Sequence, residues 1–247
     1  MDGDAVRKIA DLAIDAETRK TEDGKVFVRS DYQPLGVVHK DTVNMTSLKS
    51  FCDFIKQNPQ NIDLTEAIIV VNRDFTVSLL SAVNSLDGKR DVIAVAKKPE
   101  TAGFRFGDRM GVDDFVIAMK SYFVKEDSDW EACFNTARKV QVENGVNIED
   151  NGMAMKVVVK SGISSASIET VTRQTDYELR PYRIFPECTQ PKSPFFLRLT
   201  QKGDEALVSL HETDGGKWKN EASRIIRDYI VFEISDGCCA DDIKVYY

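Results

Sequence analysis

Three runs rich in β-branched residues, "EAIIVVN", "FTVSLLSAV" and "RDVIAVAKK", follow one another between residues 66 and 98. The polar connections between them are too short to hold helices, so the runs predict an antiparallel meander and not parallel crossovers. Asp87-Gly88 supplies turn chemistry for a hairpin between the second and third runs.

Elsewhere the apolar spacing is helical. Val6, Ile9, Ala10, Ala13 and Ile14 recur after Asp4, which predicts an amphipathic helix over residues 4 to 18. "TRKTEDGK" then reads as a solvated linker, and "KVFVRS" as a short strand. Leu48, Phe51, Cys52 and Ile55 form one helical face behind Thr46 or Ser47 as a cap, and the helix should stop before Pro59. Val112, Phe115, Val116, Met119 and Phe123 mark another helix. A capping box of Ser128 and Glu131 introduces a third that carries Trp130, Phe134, Ala137 and Val140.

After Gly152 the pattern becomes mostly that of strands: "MAMKVVVK", "SASIETVTRQ", "SPFFLRLTQ" and "ALVSLHET". A last helix with Ala222, Ile225, Ile226 and Tyr229 precedes "YIVFEIS" and "IKVYY". The expected fold class is therefore α+β, mostly antiparallel sheet with amphipathic helices packed on it and an N-terminal helix. Three segments are expected: residues 1–24 as helix and linker, 25–152 as an α+β subdomain, and 153–247 as a β-rich subdomain ending in a helix and a short strand.

Composition narrows the function. An apolar fraction of 42% is ordinary for a chain that buries a core. The formal net charge is −7, with 20 Lys and Arg against 26 Asp and Glu in residues 1–152 and 13 against 14 in the remainder. Such a chain has no global field for phosphate, so nucleic-acid binding would need a local basic patch. Five cysteines in an irregular set fit a reducing cytoplasm. The acidic N-terminus lacks the apolar core of a secretory signal, and no window approaches about 18 apolar residues. A cytoplasmic protein with no membrane association is expected.

No hydrolase, Walker-type or dinucleotide-binding motif occurs, and the two histidines, His39 and His211, lie in no zinc-ligand spacing. No cofactor, no metal and no catalytic residue are expected. Acid clusters at Asp108, Asp113 and Asp114 and at Glu126, Asp127 and Asp129 fall where helices begin, which suits the helix dipole better than a metal. Gly215, Gly216 and Lys217 of "DGGK" precede a helix, where backbone amides could hold a nucleotide phosphate, although a plain turn explains them without any ligand and is the favoured reading.

The densest candidate is "RPYRIFPECTQPKSPFFLRL", Arg180 to Leu199, which holds four of the seven prolines. From Arg173 to Lys202 there are six basic residues against three acids. Arg173, Arg180, Arg183, Lys192 and Arg198 could contact phosphates, with Tyr182 and Phe195 stacking on bases as in single-stranded nucleic-acid grooves. Alternation along an extended chain offers another reading, with aromatics packed inward and arginines in water. Prolines 181, 186, 191 and 194 place the segment at a sheet edge or in a connection and favour this rigid corner.

The order of "TVNMTSLKSFCDFIKQN", the meander, "DRMGVDDFVIAMKSYF", "YELRPYRIFPECTQPKSPFFLRL" and "ALVSLHETDGG" resembles the YfdQ-like family of phage and prophage proteins, a domain of unknown function, over residues 35–232. The tryptophan-rich stretch of that family is represented here only by "FRFGDRMG". The resemblance implies an intracellular phage protein, an accessory or interaction protein and not an enzyme, in replication and recombination or in counter-defence. Predicted sheet edges suggest a homo-oligomer, with a host or phage protein as a further partner. Binding of single-stranded nucleic acid and sequestration of a nucleotide signal are the alternatives.

Overall fold

The computed structural model describes residues 41–85, 88–100, 103–142, 146–150, 155–159, 171–173, 175–202, 205–235 and 243–247, together with 18–20, 26–28 and five residues between 4 and 12. It is an α+β fold with mostly antiparallel sheets, divided into two compact units. The first comprises residues 1–72, 76–97 and 231–247; the second comprises 73–75 and 98–230. The boundary expected at residue 152 falls inside the 98–230 span.

In the first unit Asp4, Arg7, Lys8, Ile9 and Leu12 are helical, while the rest of the expected N-terminal helix lies outside the described residues or, at Thr18, in a strand. Thr18–Lys20 (β1) pairs antiparallel with Val26–Val28 (β2), so the expected linker begins with a strand. The meander is present: Ile68–Val71 (β4), Val77–Leu80 (β5) and Val92–Ala96 (β6) pair antiparallel in sequence order. Its edges are parallel additions, Val43–Met45 (β3) on β6 and Lys244–Tyr246 (β15) on β4. Leu48–Gln57 (α1) buries Leu48, Phe51, Cys52 and Ile55. Ser47 caps it by accepting from Ser50 N at 3.1 Å, and Asn58, with φ 40°, turns the chain before Pro59.

In the second unit five strands run in the order β7-β14-β13-β12-β8: Met110–Gly111 (β7), Glu205–Glu212 (β14), Ser193–Lys202 (β13), Asp176–Pro181 (β12) and Phe123–Val124 (β8). All neighbours are antiparallel. Val146–Asp150 (β9), Met155–Val159 (β10) and Val171–Arg173 (β11) make a separate three-stranded sheet. Helices Val112–Tyr122 (α2) and Trp130–Val142 (α3) cover the inner face of the five-stranded sheet. Phe115, Met119, Cys133 and Ala137 meet Tyr177, Leu179, Phe195, Leu197, Val208 and Leu210 there in one core. The alternation along β12 and β13 that produces this face is the strand period.

Two boundaries differ from the sequence reading. Ser128 does not cap α3: its hydroxyl donates to the carbonyls of Val124 and Lys125, and the carbonyl of Asp129 takes the first helical bond, from Cys133 N at 3.0 Å. The run "YIVFEIS", expected to follow the last helix, instead continues it as far as Ile234 in Trp218–Ile234 (α4). Ala222, Ile226, Ile230 and Ile234 are buried at strict four-residue spacing, which keeps the segment helical despite its β-branched residues.

Candidate functional site

The arginine-rich segment forms the end of β12, a tight connection over residues 182–192 and the start of β13. Gln190, which the sequence reading passed over, holds this connection together. Its buried Oε1 accepts from Arg183 N at 2.8 Å and Ile184 N at 3.1 Å, while Nε2 donates to the carbonyls of Phe185 and Cys188 at 3.1 and 3.2 Å. One amide thereby meets four backbone groups of the proline-rich connection, within which Cys188 N also donates to the Phe185 carbonyl at 3.1 Å.

Arg183 points inward and is only 9% exposed. Its guanidinium lies 4.2 Å from the Trp218 ring centre, 5.3 Å from that of Phe106 and 5.4 Å from that of Phe195. Nη1 donates to Ser193 Oγ at 2.8 Å, and Nη2 is paired with Glu212. Burial lowers the guanidinium pKa from its ordinary value, and Glu212 and then Asp214 oppose that shift. Arg183 is thus a structural cation in an aromatic box, and it presents no charge to a phosphate.

The other candidates divide. Arg180 Nη2 is 2.6 Å from Asp127 Oδ2, and Lys192 Nζ is 2.8 Å from Glu178 Oε2, a bond that raises the lysine pKa. Arg198 is exposed on β13 and also has an interaction partner. Arg173 lies on β11, and its side chain is outside the described residues. Tyr182 is exposed, whereas Phe195 is fully buried, stacked on Phe106 at 5.2 Å. No base can stack on Phe195 without opening the core. The interleaving of aromatics with arginines therefore reflects inward and outward positions, not one platform.

The "DGGK" turn is also self-satisfied. Gly215 and Gly216 have φ of 63° and 84°, values that favour glycine. They let Asp214 fold over the start of α4, where its two carboxylate oxygens accept from Gly216 N at 2.8 Å and Trp218 N at 3.0 Å. The position a phosphate would take at this helix end is filled by the chain's own carboxylate.

What the turn and the corner do share is an open cleft of ≈ 480 Å³, lined by Lys192, Pro194, Asp214, Lys217, Trp218 and Glu221 among others. It joins one residue of each candidate group, Lys192 and Lys217. The Trp218 ring already contacts Arg183 and is tilted against Phe75 at 5.6 Å, and its buried Nε1 has no hydrogen-bond partner. Among the described residues no cluster of His, Cys, Asp or Glu could hold a metal ion, and no helix is long and apolar enough to cross a membrane.

No family model, no curated protein and no solved structure matches the chain.

Proposed function

We propose that the chain acts by binding polypeptides and not by catalysis, and that its first partner is a second copy of itself. One observation carries the reading. On the last turn of α4, Val231 and Phe232 face solvent, Phe232 with 76% of its surface exposed. The inward stripe of the same helix is already complete through Ile226, Ile230 and Ile234, so Phe232 is not a core residue left unburied. Beside it Lys56 Nζ and Glu233 Oε2 pair at 3.4 Å, which leaves the rim without net charge and self-complementary across a two-fold axis. Covering an exposed phenylalanine is worth about 1.5–3 kcal/mol, twice over in an isologous contact.

Sedimentation velocity over a concentration series tests this. The wild type should show a dimer that Phe232→Asp abolishes, and a wild type that is monomeric throughout overturns the reading. The phage or prophage setting implied by the YfdQ-like resemblance is carried as part of the proposal. The genes flanking this one test it, and a non-phage neighbourhood would remove it.

The cleft favours a second reading, in which a small anionic ligand such as a nucleotide binds between Lys192 and Lys217. Thermal stabilisation by nucleoside phosphates that is lost in Lys217→Glu would support it. A flat screen would sink it.

A further inference from the structure

In an antiparallel strand, alternate residues direct both backbone groups to the same edge. Along β12 one set faces β13, as the 2.7 Å bond from Leu197 N to Thr175 O shows at its start. The other set faces outward. Tyr182 N donates to Tyr122 O at 2.9 Å and Arg180 pairs with Val124, but there β8 ends. The next outward pair belongs to Glu178.

A single residue closes it. Asp129 N donates to Glu178 O at 2.9 Å, and Glu178 N donates to Asp129 Oδ2 at 2.8 Å. The carbonyl of Asp129 accepts from Cys133 N at the start of α3, and the side chain supplies the acceptor for Glu178 N. Around it, Arg180 ties down Asp127, whose φ of 49° is left-handed, and Lys192 ties down the Glu178 side chain.

We propose that Asp129 is an edge guard that stops the outer edge of β12 from accepting an extended strand of a second copy of this chain. An unpaired N–H and C=O on a sheet edge is a template for strand addition, and a reciprocal bond to one fixed residue removes the template without adding a strand that would itself offer a new edge. The contact is independent of Phe232.

The test replaces Asp129 in both the wild-type and the Phe232→Asp backgrounds, so that association through the edge is read apart from association through α4. Asp129→Ser keeps a hydroxyl that can cap α3 but shortens the reach to Glu178, and Asp129→Asn keeps the acceptor. Amide exchange at Glu178, followed by NMR, and mass by light scattering are measured across protein concentrations. Asp129→Ser should exchange roughly ten-fold faster at Glu178 and form larger, concentration-dependent species in both backgrounds, while Asp129→Asn behaves as its parent does. Adding Glu178→Pro, which removes the outward N–H, should abolish those species. Unchanged exchange in Asp129→Ser, faster exchange without larger species, or larger species that survive Glu178→Pro would each overturn the guard.

Discussion

Arg183 shows how far a residue's role depends on which way it faces. Its neighbours in sequence, Arg180 and Tyr182, lie at or near the surface, and nothing in "RPYRIF" distinguishes the buried cation from the others. The partners that fix it, Glu212 and Trp218, come from 29 and 35 positions further along the chain. Removing it leaves Glu212 and the aromatic box without their cation. Because Glu212 is about one-third exposed, Arg183→Ala should cost about 2–3 kcal/mol, less than a fully buried broken pair. Lysine should restore little, since it lacks the planar fork that stacks and reaches both Ser193 and Glu212; urea denaturation of both variants checks this. Cys52 offers a second test. Burial, reinforced by Glu233, pushes its thiol from 9.0 up to about 12. Below pH 9 the thiol is protonated in both folded and unfolded chains. Above it only the unfolded chain ionises, so this contribution to stability should fall as pH rises from 9 towards 12. Burial raises the Cys133 thiol in the same direction. Denaturation at pH 8 and pH 10 should show a smaller loss for Cys52→Ala than for the wild type, and equal losses would remove the assignment.

Elements were readable where their period was long and their caps local. The face of α1 and the Ser47 cap follow from neighbours within four positions, and the meander follows from strand-length runs between turns. The two-residue strands β7 and β8 carry no period, and β15 exists only because β4 offers it an edge far away in sequence. The helix α4 runs past Tyr229, the last position of the helix expected from the sequence, because the isoleucine stripe at 226, 230 and 234 continues its buried face. Its beginning is where glycines suggested a phosphate site. With both carboxylate oxygens of Asp214 bonded there, Asp214→Ala should cost about 1 kcal/mol as a lost cap. If the cap is the whole role, thermal denaturation will show that loss equally with and without phosphate in the buffer. A wild type stabilised by millimolar phosphate would return the turn to the list of ligand sites.

For the molecule as a whole, the pairing of charges weighs against the nucleic-acid reading. The local excess of positive residues between Arg173 and Lys202 was a true count, but pairing is a property of the fold. Arg183 is spent on Glu212, Arg180 on Asp127 and Lys192 on Glu178, with the acids drawn from a turn before α3, from β12 itself and from β14. A phosphate approaching this face would have to displace those carboxylates while entering the field of a chain with net charge −7. Its gain from counterion release would therefore be small. Fluorescence anisotropy with a labelled single-stranded oligonucleotide at low salt should show no binding, or weak binding that Lys192→Glu and Arg198→Glu leave unchanged. A steep salt dependence that those two substitutions flatten would mean that the ion pairs open for ligand, and the corner built by Gln190 and Arg183 would then be a nucleic-acid face after all.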